Sequence, residues 1–261
     1  MNQVSKVKIS VVTPVLNSEK YVKEIVESVL SQKGDFELEY IVKDGQSTDR
    51  TLEVLKDYEN LIKVISCPDT STEDAIYQGM EAATGDIVCW IGADDKYAPG
   101  TFQSVVDQFK AHPDRDWQYG RCRIIDDKGH EVRKWITLYK NIIGYFYCRR
   151  VLFCENYINQ PAVFFKRSLW EKVKGRFLDY HFGSDYNLWI NFSMHSKAIA
   201  VHRYYSSFRR HEDSTSHNSY IHQLEDSIEI SKRYGNNFYA LIFRLNKFKT
   251  VLIYRLLDKF K

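Results

Sequence analysis

Residues 9–32 read ISVVTPVLNSEKYVKEIVESVLSQ, and residues 40–51 read YIVKDGQSTDRT. The β-branched run Lys8–Thr13 ends at a proline, which predicts a strand followed by a turn. In Ser18–Gln32 the apolar residues recur every three or four positions, which predicts a helix with its first residue as the cap. Leu38–Lys43 predicts a second strand, closed by an Asp-Gly turn. This part of the chain therefore encodes a β-α-β unit.

The same alternation continues through two more strands and three more helices. It predicts strands at Leu61–Ser66 and Asp86–Ile91, and helices at Asp49–Tyr58, Thr72–Ala83 and Pro99–Phe109. This order predicts an α/β fold whose mostly parallel central sheet carries helices on both faces. Such sheets bind ligands beyond the carboxyl ends of their strands. The polar residues that follow those ends are Thr13, Asn17, Asp44, Asp69, Asp94 and Asp95.

The second half of the chain has a less regular pattern. It predicts strands at Gln118–Ile125, Gln160–Phe165 and Ala198–Tyr205, and helices at Arg167–Lys174, Ser184–His195, Ser219–Tyr234 and Phe238–Phe260. No linker-like stretch divides the chain. We therefore expect one domain over residues 1–218 and a helical region over residues 219–261.

The positive charge of the chain is concentrated at its C-terminal end. The formal net charge of +3 is too small to indicate nucleic acid binding. Residues Asn237–Lys261, however, contain six basic residues and one acidic residue, interleaved with apolar residues at helical spacing. This pattern is typical of an amphipathic helix that lies in a membrane interface. The alternative is a helix packed on the rest of the chain or on a second subunit.

The cysteines favour free thiols over a metal site. Cys67, Cys89, Cys122, Cys148 and Cys154 form no C-x-x-C pair. Their odd number and the apolar surroundings of Cys67 and Cys89 predict buried thiols in a reducing compartment. The sequence also shows neither a signal-peptide pattern nor an apolar stretch long enough to span a membrane. We expect a cytoplasmic protein with peripheral contact at the inner face of the cell membrane.

The adjacent carboxylates of Asp94 and Asp95 give the strongest chemical signal. They follow a predicted buried strand, where two like charges repel each other and lose solvation unless a cation or hydrogen-bond donors lie beside them. Mg²⁺ and Mn²⁺ prefer oxygen ligands, and one or two carboxylates plus phosphates are enough to hold such an ion. The alternative is a turn with solvated acids, since Asp is common in turns.

Three blocks of sequence together resemble the nucleotide-binding half of glycosyltransferase family 2. They are the two stretches quoted above and PDTSTEDAIYQGMEAATGDIVCWIGADD, residues 68–95. The resemblance is to bacterial polysaccharide-type members and implies a GT-A fold with a nucleotide-sugar donor, often a UDP-sugar. It implies that residues 8–98 form the donor half of the domain and residues 99–218 the acceptor half.

The resemblance also implies roles for individual residues. Asp44 would face the base, Asp94 the ribose or donor sugar, and Asp95 a Mn²⁺ or Mg²⁺ ion that bridges the diphosphate. The first nucleotide-contact loop would contain Thr13, Pro14, Asn17 and Glu19. Asp74, which matches the family in the helix before the acidic pair, would also bind the nucleotide sugar. The chain departs from the family pattern at Lys43, Tyr77, Gly92 and Ser184.

The segment FGSDYNLWINF, residues 182–192, resembles the acidic segment of the family and places Asp185 at the position of the catalytic acid. A carboxylate there could remove the proton of an acceptor hydroxyl while that oxygen attacks the anomeric carbon. The implied reaction is a single displacement with inversion. The alternative is that Ser184 or Asp185 caps a helix.

The segment from Arg209 to Ser216 resembles the late H-x-x-S-x-S element of the family. His211 would complete the metal or diphosphate site, and Arg209 or Arg210 would hold phosphate charge. The alternative is an exposed polar loop.

Two other functions remain open from the sequence. A nucleotidyltransferase could use a similar acidic sheet edge, but TPVLNSEKY lacks the glycine-rich loop such enzymes normally carry. A non-catalytic protein could keep the fold and still bind a nucleotide sugar. Under the first interpretation, the partners are a nucleotide-sugar donor and a glycan or lipid-linked glycan acceptor.

Overall fold

The computed structural model describes residues 6–211 and 220–257; in the second range it describes the side chains of residues 222–248. The strands are β1 (Lys8–Val15), β2 (Glu37–Asp44), β3 (Lys63–Ser66), β4 (Ile87–Trp90), β5 (Lys96–Tyr97), β6 (Trp117–Ile125), β7 (Val163–Lys166) and β8 (Ile199–Arg209). The helices are α1 (Val22–Leu30), α2 (Thr51–Lys56), α3 (Thr72–Glu81), α4 (Thr101–Ala111), α5 (Lys134–Ile143), α6 (Arg149–Cys154), α7 (Arg167–Val173), α8 (Ser184–His195), α9 (Tyr220–Tyr234) and α10 (Asn237–Leu257), with short 3₁₀ helices at Gln160–Ala162 and Lys174–Asp179.

One sheet joins the eight strands in the order β3-β2-β1-β4-β7-β6-β8-β5. The strands β1 to β4 run parallel to one another, β7 is antiparallel to β4 and β6, and β8 is parallel to β6. The carboxyl ends of β1, β2, β3, β4, β6 and β8 therefore meet at one edge of the sheet, where β5 and β7 begin. We call this the carboxyl edge. The predicted mostly parallel sheet is confirmed.

Two apolar layers cover the faces of the sheet. On one face α1 and α4 bury Ile25, Val29 and Phe102 in a cluster with apolar residues of β1, β2, β4, β5 and β7. On the other face α8 packs Trp189 between Trp90 and Trp117, with ring centroids 5.6 and 6.2 Å apart. Aromatic side chains of this size dominate the energetics of a core, so this stack fixes α8 firmly on the sheet.

The first half of α10 packs on the body of the protein. Phe243 is fully buried against the ring of Tyr186 at 5.5 Å, and Asn246 Nδ2 donates to Cys154 O at 3.3 Å. The sequence analysis gave such packing on the rest of the chain as the alternative to a membrane-bound helix. The basic side chains of α10 beyond Phe248 lie outside the described side chains, and no helix in the described ranges is long and apolar enough to cross a membrane.

Several local predictions were wrong. Helix α1 begins at Val22 rather than Ser18, and no side chain caps it. The predicted strand at 160–165 splits into a 3₁₀ turn and β7, while β5, α5 and α6 were not predicted. The five cysteines are free, as expected, but Cys148 is exposed and Cys67 is half-buried. Short and amphipathic elements of this kind depend on neighbours that the local sequence does not reveal.

Candidate functional site

Asp94 and Asp95 lie at the carboxyl edge, directly after β4. Asp95 is 3% exposed, and its Oδ1 accepts a hydrogen bond from the backbone N of Arg209 at 2.8 Å. A Cβ atom on Gly92 would lie 2.9 Å from Asp94 Oδ1 and 3.3 Å from Asp95 Oδ2. Both oxygens therefore converge on the position where Gly92 lacks a side chain.

The charge of Asp95 is poorly balanced by protein groups. Burial raises the pKa of its carboxyl well above the usual value, and the nearby negative charge of Asp94 raises it further, against the opposing effect of Arg209. Hard oxygen atoms on two adjacent carboxylates fit Mg²⁺ or Mn²⁺. The described residues contain no group of three side chains that could hold an ion alone, so phosphate oxygens would have to complete the coordination.

Arg209 ends β8 beneath this carboxylate pair. Its side chain is 1% exposed. Its Nε donates to Asp94 O at 2.8 Å, and one terminal nitrogen donates to the carbonyl oxygens of Asp126 and Asp127 at 2.9 and 3.0 Å. The other terminal nitrogen pairs with the carboxylate of Glu24. Arg209 thus holds the ends of β4, β6 and β8 together, and its phosphate contact stays a prediction.

His211 lies beside the first acid of the pair. Its Nε2 is 2.9 Å from Asp94 Oδ2, and its ring centroid is 5.3 Å from that of Tyr21. The backbone N of Arg210 donates to Ile125 O at 2.9 Å. The rest of the predicted late element, Glu212–Ser216, lies outside the described residues.

Five residues around this cluster were not predicted. Glu24 on α1 accepts a hydrogen bond from Lys96 Nζ at 2.6 Å and pairs with the buried arginine. Tyr21 Oη donates to Asp127 Oδ1 at 2.6 Å, and Lys20 Nζ lies 3.3 Å from Asp127 Oδ2. Asp127 could have been predicted from the sequence, because it follows β6 as Asp94 follows β4. The roles of the other residues depend on how the helices pack, which cannot be inferred from the residues at strand ends.

The predicted first loop joins the second strand–helix loop through side chains. Asn17 has a left-handed φ of 49°, which asparagine tolerates better than most residues, and its Oδ1 accepts from Thr48 N at 2.8 Å. Glu19 Oε2 accepts from Arg50 N at 2.9 Å. Pro14 is half-buried near the end of β1. These bonds place the two loops side by side at the carboxyl edge.

Thr13 and Asp44 lie beneath these loops. Asp44 is fully buried; its carboxylate accepts from Ser47 N at 3.1 Å and from Ser66 Oγ at 2.6 Å. Thr13 is also buried, and its Oγ1 accepts from Tyr40 Oη at 3.1 Å. Asp44 thus holds the backbone of the Asp-Gly turn that the sequence predicted after the second strand. Contact between Asp44 and a nucleobase stays a prediction.

Lys43, a departure from the family pattern, is buried beside this loop. Its Nζ pairs with Asp69 Oδ2 at 2.9 Å and donates to Cys67 O at 2.7 Å and Asp44 O at 3.0 Å. A buried lysine is tolerated only with such partners. It connects the end of β2 to the loop after β3.

Asp74 lies in the first turn of α3, apart from the metal-site candidates. Its Oδ2 accepts from Thr70 N at 2.9 Å and from Thr70 Oγ1 at 3.1 Å. It borders a cavity of about 240 Å³. The other residues that line this cavity are Thr70, Ser71, Glu73, Leu178, Tyr180 and His181.

Asp185 lies toward the carboxyl edge, on the face of the sheet opposite to the one that α1 covers. The C-terminal end of α8 lies at the start of β6, because Trp117 Nε1 donates to Ser196 O at 2.9 Å. The helix therefore points its N-terminus toward the carboxyl edge, and Asp185 lies one turn beyond Trp189, which stacks on Trp90 at the end of β4.

The local bonding of Asp185 excludes the predicted helix cap. The N-cap residue is Gly183, and no side chain makes a capping bond there. Asp226 of α9 instead accepts from Phe182 N and Gly183 N at 2.9 and 3.0 Å. Burial raises the pKa of Asp185, partly offset by a hydrogen bond from Tyr186 N and by the charge of Lys140. The carboxylate is thus a stronger base than an exposed aspartate.

The predicted residues form three groups along one edge. Asp94, Asp95, Arg209 and His211 form a connected cluster. Asn17, Glu19 and Asp44 belong to the adjacent paired loops, whereas Asp74 and Asp185 lie at the starts of α3 and α8.

Comparison with known proteins agrees with this arrangement. The family model described as "Glycosyl transferase family 2" matches residues 10–173. A "PGL/p-HBAD biosynthesis glycosyltransferase" of Mycobacterium bovis is 29% identical over 202 residues, which cover 75% of this chain and 72% of the relative.

Two solved structures share the fold. S. aureus TarS 1-349 in complex with UDP-GlcNAc has a TM-score of 0.64 at 18% identity, over 90% of this chain and 70% of that one. A mannosyltransferase from Pyrobaculum calidifontis in complex with GDP-Man and Mn²⁺ has a TM-score of 0.64 at 17% identity, over 87% of this chain and 64% of that one. The fold is that of GT-A glycosyltransferases. Because the family model covers more than half of the chain, this protein belongs to glycosyl transferase family 2 and is a glycosyltransferase.

Proposed function

We propose that this enzyme transfers a sugar from a nucleoside diphosphate donor, with UDP as the nucleotide, to an acceptor hydroxyl with inversion at the anomeric carbon. The observation that carries the proposal is the pair of carboxylates beside Gly92. Asp94 Oδ1 and Asp95 Oδ2 converge on the position where Gly92 lacks a side chain, at the carboxyl edge of a parallel sheet, where such folds bind ligands.

The donor would lie across the two paired loops and the acidic cluster. Asp95 would hold a Mn²⁺ or Mg²⁺ ion, with His211 close enough through Asp94 to join the site. Such an ion would supply charge compensation for the departing diphosphate. Arg210 and Arg209 would add positive charge, and Thr13, Pro14, Asn17, Glu19 and Asp44 would shape the nucleotide pocket. The mannosyltransferase neighbour with GDP-Man and Mn²⁺ supports this chemistry.

Asp185 would act as the general base. An acceptor hydroxyl is a poor nucleophile, and a carboxylate at hydrogen-bond distance can take its proton as the new bond forms. The raised pKa of Asp185 makes it better matched to this task than an ordinary aspartate. Its place at the start of α8 puts it within the proposed acceptor half and leaves the acidic cluster for the donor.

The acceptor we propose is a glycan or lipid-linked glycan in bacterial surface polysaccharide or glycan assembly. Residues 8–98 would form the donor half and residues 99–218 the acceptor half. The protein would act in the cytoplasm at the inner face of the membrane. The exposed outer side of α10, which includes Phe238, Leu241, Leu245 and Phe248, is available for peripheral contact.

A nucleotide panel tests the donor proposal. Thermal unfolding would be followed with UDP, GDP and CDP, each with and without Mn²⁺. We expect UDP with Mn²⁺ to raise the melting temperature most, because a ligand that binds only the folded state stabilises it. UDP-sugars would then be screened for release of UDP. Equal stabilisation with and without metal, or no release from any donor, would count against the proposal.

A further inference from the structure

Helix α5 presents an apolar face to solvent. Trp135, Ile142 and Phe146 are 77%, 66% and 76% exposed, and Leu138 is 47% exposed. Trp135, Leu138 and Ile142 are spaced three and four positions apart, so they lie along one side of the helix, and Phe146 follows in the turn after it. Soluble proteins seldom expose so many large apolar side chains together, and such a patch normally marks an interaction site.

The opposite side of α5 is firmly attached to the protein. Thr137 is buried, and Lys140 Nζ donates to Asn159 Oδ1 at 2.8 Å. After the helix, Tyr119 Oη donates to Gly144 O at 3.0 Å. The outward face is therefore presented by a fixed helix.

The charge of this segment is one-sided. Residues 132–154 contain no acidic residue. The five basic residues in the same range are Arg133, Lys134, Lys140, Arg149 and Arg150. The side chains of Lys134, next to Trp135 in the chain, and Arg150, four residues after Phe146, are exposed. Exposed cations near an apolar face in the chain complement a surface that is both anionic and apolar.

We propose that the exposed face of α5 docks into the interface of a membrane that contains anionic lipid. Trp135 and the exposed Tyr145 are residue types that sit at the level of lipid headgroups. Lys134 and Arg150 would face the headgroup charges. A second copy of this chain fits the face less well, because symmetric pairing of the face would bring two basic, acid-free segments together.

The neighbouring outer side of α10 extends the same kind of surface. Helix α10 contacts α6, the helix that follows the α5 segment, through the bond between Asn246 and Cys154 O. Its residues Phe238, Leu241 and Leu245 are 64%, 54% and 60% exposed. We assign the principal membrane contact to α5, which is distinct from the C-terminal helix. This contact does not depend on the reaction that the enzyme performs.

Vesicle co-sedimentation of the full chain tests this assignment. We expect binding to phosphatidylcholine vesicles that contain phosphatidylglycerol, and much weaker binding to phosphatidylcholine alone. The triple variant W135S/I142S/F146S should lose binding by about tenfold or more, because insertion scales with buried apolar area. The variant K134Q/R150Q should lose about tenfold, and raising salt from about 0.1 M to about 0.5 M should have a similar effect.

Matched variants separate this proposal from its alternatives. Leu61→Ser removes an apolar side chain that is 64% exposed on another part of the surface and should bind like wild type. The variant F238S/L241S/L245S reports on α10. The proposal is overturned if the α5 triple variant, with an unchanged melting temperature, binds as wild type does. It is also overturned if only the α10 variant loses vesicle binding. A third contrary result is that the wild-type protein binds no vesicle, while light scattering shows that it self-associates and that the α5 triple variant does not.

Discussion

The backbone nitrogen of Arg209 donates a hydrogen bond to Oδ1 of Asp95 at 2.8 Å and joins the end of β8 to the loop after β4. The guanidinium of the same residue binds the carbonyl oxygens of Asp94 and Asp126 and pairs with Glu24. The backbone and the buried guanidinium of Arg209 thus together hold Asp94 and Asp95 in place. This makes Arg209 a positioning residue of the site, whatever direct contact it makes with phosphate.

Replacing Arg209 should destabilise the protein strongly. Arg209→Met leaves carbonyl groups and a carboxylate without their partner, so we expect a loss of about 3 kcal/mol in the free energy of unfolding. Denaturant titration would measure it. Arg203→Met, on the same strand but at an exposed position, is the control and should change little. Equal effects of the two substitutions would contradict the positioning role.

Asp95→Asn should stabilise the metal-free protein and remove metal-dependent nucleotide binding. Because burial raises the pKa of Asp95 in the folded state, its ionisation opposes folding at pH values above its ordinary pKa. The gain in melting temperature for Asp95→Asn should therefore be larger at neutral pH than near pH 4, where protonation of the wild-type carboxyl is favoured.

The loss of metal-dependent nucleotide binding in Asp95→Asn is tested by adding UDP and Mn²⁺. UDP with Mn²⁺ should no longer raise the melting temperature of Asp95→Asn, whereas Asp114→Asn, whose side chain is 71% exposed in wild type, should respond as wild type does. Retained stabilisation by UDP and Mn²⁺ would remove Asp95 from the proposed metal site.

Gly92→Ala should damage the same site by steric contact. The new methyl group would lie 2.9 Å from Asp94 Oδ1, which is closer than such contacts normally come. We expect at least a tenfold weaker Mn²⁺-dependent affinity for UDP, since a displacement of the ligands on this scale disturbs the geometry that the site requires. Gly175→Ala is the control, because an added Cβ there meets no atom within 4 Å. Calorimetric titration would compare the two.

Asp185→Asn should keep donor binding and lose transfer. Removing a general base typically lowers the rate by about 10²–10⁴-fold. In wild type the rate should rise with pH through the pKa of Asp185, which burial places above the usual aspartate range; this rise should be absent from the residual rate of the variant. Ser184→Ala, in the same helical turn, should keep the pH profile of wild type. Full turnover by Asp185→Asn would exclude the assignment.

Glu39→Gln should lower stability at neutral pH by about 2 kcal/mol. Burial alone would raise the pKa of Glu39, but hydrogen bonds from Ser10, Thr84 and Lys8 outweigh it and lower the pKa to about 2. The stabilisation is therefore present above the ordinary glutamate pKa and is lost as the pH falls toward 2. Urea titration of this variant and of Glu37→Gln, an exposed position on the same strand, would test it; a pH-independent difference would contradict it.

Much of the first half of the fold follows from local patterns. Residues such as Val11 and Val12 in β1 and Ile25 in α1 are all fully buried, as strand and helix periodicity predicts. The acids after β2 and β4 were predicted at the carboxyl edge, because a parallel β-α-β order sends those strand ends to the same side. The second half gave weaker signals, since its antiparallel and bulged strands follow no repeating unit.

The sequence by itself determined the α/β alternation, the acids at the strand ends and the family, because periodicity and motif spacing are properties of neighbouring residues. The tertiary structure decided that Arg209 meets Asp95, 114 positions away, that Phe243 packs α10 onto the domain, and that α5 turns Trp135 to solvent. These outcomes depend on strand register and on which faces compete for burial. Such long-range choices are set by the packing of the whole chain.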